Sequence, residues 1–312
     1  MRESGMRFAT VATGAVNGYL AARLAAAGQE VACLARGAHL EAIRETGLRL
    51  VTGDGETVAR PAAASDDPAA LGPVDVVLFA VKAQDLETVA PLCAPLMGPE
   101  TVVIPFLNGV EASARLEAML GAGRVLEGLC QISVFVREPG VIRQTGDFAR
   151  FRFAERGGAR SDRALAIAEA MAVEGVDAGV PEDVTRELWL KFMFLSTFAG
   201  ITAAARCDAA EIRARPELSA LLADCVGEVG RLARAEGADV SEADEAKALD
   251  FVRALPDAMR ASQANDLAAG RPLEVDWLSG AVARLSATHG LAAPAHRTLH
   301  AVLSPFRDGR RG

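Results

Sequence analysis

The chain has 312 residues, enough for two domains and a sizeable core. Hydrophobic residues make up 51% of it, which excludes a disordered chain. The formal net charge of −8 argues against general nucleic-acid binding, because a phosphate backbone would be repelled.

Five cysteines (Cys33, Cys93, Cys130, Cys207, Cys225) are scattered singly, with no C-x-x-C pair. An odd, dispersed set fits neither a complete disulfide framework nor a metal site, and a reduced cytoplasmic setting is the simplest expectation. No long apolar run opens the chain, so no signal peptide is expected, and Met1 to Gly5 read as a leader before the first strand.

The stretch RFATVATGAVNGYLAARLAAAGQEVACLAR, from Arg7 to Arg36, reads as a strand over Phe8–Ala12, a helix over Ala15–Ala27 stopped by Gly28, and a strand over Glu30–Ala35. The first turn of such a unit is where a doubly wound sheet holds a dinucleotide pyrophosphate, on the N–H groups that open the helix. Of the pattern G-x-G-x-x-G only the middle glycine is present: Ala12, Gly14 and Asn17 occupy the three positions, and Gly18 comes one residue late. Gly14, Ala15, Val16 and Asn17 are the candidate pyrophosphate-side residues; a strand–helix start with no nucleotide is the alternative. The second strand ends in Arg36 rather than in the acid that would bond a ribose 2′-hydroxyl. A guanidinium suits a 2′-phosphate, which favours NADP(H) over NAD(H).

A short helix over His39–Thr46 then leads to a hairpin, Leu48–Val51 and Thr57–Arg60, around Gly53-Asp54-Gly55. The run from Val74 to Val81 is a buried parallel strand ending at Lys82, and a helix is expected from there to about Leu96. Thr101–Pro105 is the next strand and ends at Asn108-Gly109. Lys82 and Asn108 thus follow carboxyl ends of strands, where ligands bind in such sheets; a surface lysine and an Asn-Gly turn are the plain alternatives. Arg124–Phe153 reads as antiparallel strands at the sheet edge. A helix over Ser161–Glu174 and a strand over Val176–Val180 complete the first domain, with Pro181 as boundary. The domains expected are therefore 1–180 and 181–312.

The remainder reads as helices: Glu182–Ala204, Asp208–Ala214, Pro216–Glu236, Glu242–Leu255, Ser262–Ala269, Asp276–His289 and Ala295–Ser304. Within the first of these, LWLKFMFLSTFAGITAAA carries one charge, Lys191, and is too short and interrupted to span a membrane. A lysine in such a run either meets a partner in a site or snorkels to solvent. In SQANDLAAGRPLEVDWLS, from Ser262 to Ser279, Glu274 and Asp276 are expected to open a helix, where acids are favoured by the dipole, and Ser262 to act as a cap.

The segments GAVNGYLAARLAAAG, LARGAHL, FAVKAQD, LNGVE, LWLKF and SQANDLAAGRPLEVD resemble the ketopantoate reductases (2-dehydropantoate 2-reductases) over nearly the whole chain. That resemblance implies an α/β fold, a Rossmann-type doubly wound sheet followed by an all-helical C-terminal domain, with an active site in the cleft between them. It implies NADPH-dependent reduction of a 2-oxo acid, ketopantoate, to a 2-hydroxy acid on the way to pantothenate. The expected partner is a small-molecule substrate, with no nucleic acid, membrane or metal; a homodimer is left open. By position, Lys191 resembles the catalytic lysine and Glu274 the active-site glutamate. Asn108 and Ser262 match substrate-binding positions, and Arg36, Lys82 and Asn108 match cofactor-side ones. Two asparagines expected on the lysine helix at i+4 and i+8 are Leu195 and Ala199 here, and a later asparagine is Ser279. A pocket with fewer hydrogen-bonding groups discriminates less for a substrate hydroxyl, so the resemblance also admits a more apolar 2-oxo acid. The altered turn from Ala12 to Asn17 leaves a further alternative, a non-catalytic Rossmann protein that has lost cofactor affinity.

Overall fold

The computed structural model describes residues 5–310. The expected leader, Met1 to Gly5, lies outside the described residues except for Gly5. The chain divides into two compact units: one takes the residues up to Leu107 together with Glu111–Val184, the other Asn108–Val110 together with the residues from Thr185 onward.

The first unit begins β1 (Arg7–Val11), α1 (Ala15–Ala26), β2 (Glu30–Leu34), α2 (Gly37–Thr46), β3 (Leu48–Thr52), β4 (Gly55–Ala59), β5 (Ala63–Ser65) and β6 (Val74–Phe79). It continues with α3 (Leu86–Val89), β7 (Met97–Pro105), α4 (Ala112–Leu120), β8 (Glu127–Glu138), β9 (Val141–Ala154), α5 (Asp162–Met171) and β10 (Asp177–Gly179). One sheet has the order β5-β2-β1-β6-β7, and its strand pairs are parallel. The chain winds outward from β1 in one direction through β2 and β5, and in the other through β6 and β7. The reversal places a ligand crevice at the carboxyl end of β1.

Two expectations are corrected here. The antiparallel strands of 124–153 do not extend the parallel sheet. They form a second sheet, β10-β9-β3-β4 with β8 also pairing β9, and the hairpin strand β3 joins it through parallel pairing with β9. The helix expected up to Leu96 is also broken: a 3-10 turn at Ala83–Asp85, the single-turn α3, and a 3-10 run over Ala90–Leu96 that contains Pro91 and Pro95. Each proline removes an N–H that an α-helix would use.

Helix α1 is buried on most of its surface, as an apolar, Ala-rich helix must be. Its close packing is set by Gly18, not by position 17: a Cβ at Gly18 would lie 2.7 Å from Cδ1 of Ile142 on β9. Tyr19 donates from its hydroxyl to the Gly175 carbonyl, and the Arg23 guanidinium sits 5.6 Å from its ring centre.

The second unit is helical: α6 (Val184–Ala204), α7 (Ala209–Ala214), α8 (Pro216–Ala235), α9 (Glu242–Ala254), α10 (Ser262–Ala268), α11 (Ser279–Thr288) and α12 (Pro294–Leu303). Capping boxes start α7 (Asp208 with Glu211) and α9 (Ser241 with Asp244). The core packs Trp189, Phe192, Met193 and Ile201 of α6 against Val226 and Val229 of α8 and Val282 of α11. At Gly200 a Cβ would lie 2.9 Å from Leu299 and 3.0 Å from Ser279 Oγ, so α6 tolerates no side chain there. Buried Glu228 on α8 accepts the first N–H groups of α12, from Ala295 at 2.7 Å and His296 at 2.9 Å, and pairs with His296 Nδ1.

Candidate active site

Between Leu188 and Ala203, α6 is buried at every position except Leu190, Lys191, Phe194 and Leu195. These fall on one face at helical spacing. Lys191 is neither snorkelling freely nor sealed in: it is half-buried, and Nζ donates to Asn108 Oδ1 at 3.3 Å. Asn108 in turn donates from Nδ2 to Glu274 Oε2 at 3.1 Å. The order ammonium, amide, carboxylate fixes the orientation of the amide, since its oxygen must face the donor and its NH2 the acceptor.

Local backbone holds this row together. Asn108 enters the second unit on a three-residue excursion, Asn108–Val110. Gly109 has φ +96°, and a Cβ there would approach the Trp277 carbonyl to 3.3 Å, so the Asn-Gly pair lets the chain pass close to the segment that carries Glu274. Glu274 is 5% exposed and its own carbonyl accepts the N–H groups of Trp277 and Leu278.

The expectation that Glu274 and Asp276 open a helix is corrected: α11 starts at Ser279, after the turn 275–278, with Leu278 at its N-cap. Asp276 instead holds His300 Nε2 at 2.6 Å and Arg307 at 3.4 Å. Ser262 opens α10 but the N-cap position is Ala261; its side chain is exposed and makes no cap hydrogen bond. The structure does not bring Ser262 into hydrogen bonding with Lys191, Asn108 or Glu274. The two residues expected to replace helix asparagines also part company. Leu195 shares the half-exposed face with Lys191, whereas Ala199 is fully buried. Ser279 is fully buried as well. Sequence reading passed over Gln263, which is 3% exposed and donates to the Ala199 carbonyl at 3.4 Å.

In the first unit, the turn after β1 works with the residues it has. Ala12 takes φ +57°, the left-handed conformation that favours glycine. Thr13 ties the turn to β2 through its N–H and its hydroxyl, at 2.8 Å and 3.0 Å from the Leu34 carbonyl. Asn17 is fully buried and donates from Nδ2 to the carbonyls of Val11 at 2.7 Å and Leu78 at 3.2 Å. The asparagine thus replaces a glycine's close contact with hydrogen bonds that knit β1 to β6.

The turn fits a dinucleotide. Helix α1 has Gly14 at its N-cap, no side chain capping it and no acid in its first turn. Its first N–H groups, on Ala15, Val16 and Asn17, are therefore suited to a diphosphate. A Cβ at Gly14 would meet nothing nearer than the Ala12 carbonyl at 3.8 Å, so the space over the turn is open. Arg36 is exposed at the N-cap of α2, directly after β2, and Lys82 is exposed after β6. His39 was not singled out in the sequence. Its Nδ1 accepts the Gly140 N–H at 3.0 Å, and burial pushes its pKa down, opposed by the Thr13 backbone. That leaves the imidazole neutral beside the turn.

Among the described residues no cluster of His, Cys, Asp or Glu is placed to hold a metal ion, and no helix is long and apolar enough to cross a membrane. Two family models match the chain: ketopantoate reductase PanE/ApbA over residues 8–158 and its C-terminal partner over residues 183–306. The chain belongs to the ketopantoate reductase family. Its relatives carry oxidoreductase names. The chain is similar to a 2-dehydropantoate 2-reductase of Mesorhizobium japonicum, 34% identical, with 97% of each chain covered. It is also 30% identical to an uncharacterized oxidoreductase of Bacillus subtilis, covering 96% of this chain and 99% of that one. Among solved structures, a ketopantoate reductase of this family from Ralstonia eutropha JMP134 superposes with a TM-score of 0.87 at 29% identity, covering 97% of this chain and 98% of that one. The Rossmann-type sheet followed by helices is thus the fold of the ketopantoate reductases.

Proposed function

We propose that this protein uses NADPH to reduce a 2-oxo acid to the 2-hydroxy acid. The observation that carries this reading is the row Lys191, Asn108, Glu274, in which an ammonium is held by an amide that a buried carboxylate positions. Gly14, Ala15, Val16 and Asn17 hold the diphosphate of the cofactor, Arg36 its 2′-phosphate, and Lys82 and Asn108 serve its nicotinamide side. When bound, the reduced nicotinamide supplies a hydride, which becomes the new C–H bond at C2 of the oxo acid. Lys191 stabilises the negative charge that develops on the carbonyl oxygen and transfers a proton to it, so that the C=O π-pair ends as the O–H bond. Glu274 keeps Asn108 turned so that its oxygen faces Lys191. Ser262 is assigned to substrate binding by its position in the sequence.

The substrate named for the relatives, 2-dehydropantoate, is the first to test. A second reading, a more apolar 2-oxo acid, is favoured by Leu195 on the face that carries Lys191. Titration of NADPH by fluorescence, followed by NADPH oxidation with 2-oxo acids, tests the proposal; binding without turnover of any 2-oxo acid would refute it.

A further inference from the structure

Glu274 sits in an irregular segment, and residues on both sides of it are gripped by the C-terminal end of the chain. On one side, the Leu273 N–H donates to the Arg307 carbonyl at 2.9 Å. On the other, Asp276 Oδ1 accepts from His300 Nε2 of α12 at 2.6 Å and pairs with the Arg307 guanidinium at 3.4 Å. Arg307 thus touches the residue before Glu274 and the residue two after it. Upstream, the Arg310 N–H donates to the Gly270 carbonyl at 3.1 Å, so the strap 307–310 follows the segment 270–273. Gly280 makes room for the imidazole: a Cβ there would lie 2.8 Å from His300 Cδ2. Glu274 is buried, whereas the side chains of Asp276 and Arg307 are each 44% exposed. Ion pairs that exposed add little to global stability. What they restrain is local, a turn over 275–278 that directly follows a buried carboxylate.

Resting on the reading of Lys191, Asn108 and Glu274 above, we infer that Asp276 is a positioning residue for Glu274, locked by His300 and by the 307–310 strap. The effect runs from Arg307 and His300 to Asp276, through the turn to Glu274 Oε2, and on to Asn108 Nδ2 at 3.1 Å and Lys191 Nζ. Freeing the turn lets the carboxylate drift. Asn108 then loses the acceptor that keeps its oxygen towards Lys191. A misplacement on the order of 1 Å in a reacting constellation costs up to about a hundredfold in rate.

The test is a double-mutant cycle, read as NADPH oxidation with 2-dehydropantoate. Asp276→Ala should lower kcat about five- to twentyfold, with the NADPH dissociation constant within about twofold and Tm little changed. Asp276→Asn, which keeps an acceptor for His300, should recover most of the rate. In a Glu274→Ala background Asp276→Ala should cost less than about twofold, because the residue it positions is gone. His300→Ala and Arg307→Ala, each removing one anchor, should show the same pattern at smaller size. Equal losses with and without Glu274, or no loss at all, overturn the inference. Crystal structures of the native protein and Asp276→Ala decide it without turnover. The hydrogen bond from Asn108 to Glu274 is expected to break in the variant, and its persistence overturns the inference. A native protein that binds NADPH and reduces no 2-oxo acid refutes oxo-acid reduction, and the crystallographic comparison still decides the role of Asp276.

Discussion

Asn17 donates from its side-chain amide to the Leu78 carbonyl, 3.2 Å away and 61 residues further along the chain. The same NH2 reaches the Val11 carbonyl, so one side chain closes the gap between neighbouring strands β1 and β6 under the nucleotide turn. In a dinucleotide fingerprint this position carries the third glycine. The position does different work.

Restoring that glycine should consequently hurt. Asn17→Gly removes buried hydrogen bonds and is expected to cost about 1–3 kcal/mol, seen as a lower Tm, and to weaken NADPH binding. Ala12→Gly should behave in the opposite way. It relieves a left-handed alanine, a gain of about 1–2 kcal/mol that the greater entropy of an unfolded glycine offsets in part. A higher Tm in Asn17→Gly would show that the amide contributes nothing.

The proposed NADPH preference rests on Arg36, exposed at the N-cap of α2. Arg36→Ala should weaken NADPH binding about tenfold or more, as loss of a charge-assisted contact to phosphate predicts, while NADH affinity stays within a few-fold. Dissociation constants for the two cofactors, measured side by side at fixed salt, decide it. Parallel losses would remove Arg36 from the 2′-phosphate.

Lys191→Ala should depress kcat about a hundredfold or more with little change in NADPH affinity. Asn108→Ala should lower kcat as well, since Lys191 then loses its amide acceptor. Stopped-flow measurement of NADPH oxidation separates the chemical step from release. Near-normal turnover in Lys191→Ala would exclude it as the acid.

Asp244 couples stability to acid. Its carboxylate accepts from the Ser241 hydroxyl and N–H and, on its other oxygen, pairs with Arg186 at 2.7 Å; these hold its pKa down to about 2, from an ordinary 3.8. The folded state thus binds this proton less tightly than the unfolded one. The stability it contributes is complete above about pH 4 and drains away as pH falls through about 2. Thermal melts of the native protein and Asp244→Asn should differ most near pH 6 and converge towards pH 2–3. A gap independent of pH would contradict the assignment.

Much of the fold was legible because its signals are local. The strand–helix–strand opening and the single lysine in an apolar helix can each be read within one or two turns. What was missed depends on partners far away in the chain. The parallel pairing of Arg49 with Val141 has no local mark, so the strands of the second sheet were assigned to the edge of the first. The segment before Leu96 has apolar spacing that suits a helix, but Pro91 and Pro95 break it into 3-10 turns. In the site, Lys191 stood out by composition. The bond from Asn108 to Glu274, 166 residues apart, did not, and the acid spacing that suggested a helix start at Glu274 marks an irregular turn instead.

Gly18 lies where α1 presses on Ile142 of the second sheet, with no room for even a methyl group. The seating depth of α1 is thus dictated from behind, by a strand of the other sheet. Laboratory evolution for tighter or looser cofactor retention has a lever there. Trimming Ile142 to valine or alanine would let the helix settle, and changes selected on the hairpin face would retune affinity while every residue proposed to hold the cofactor stayed as it is.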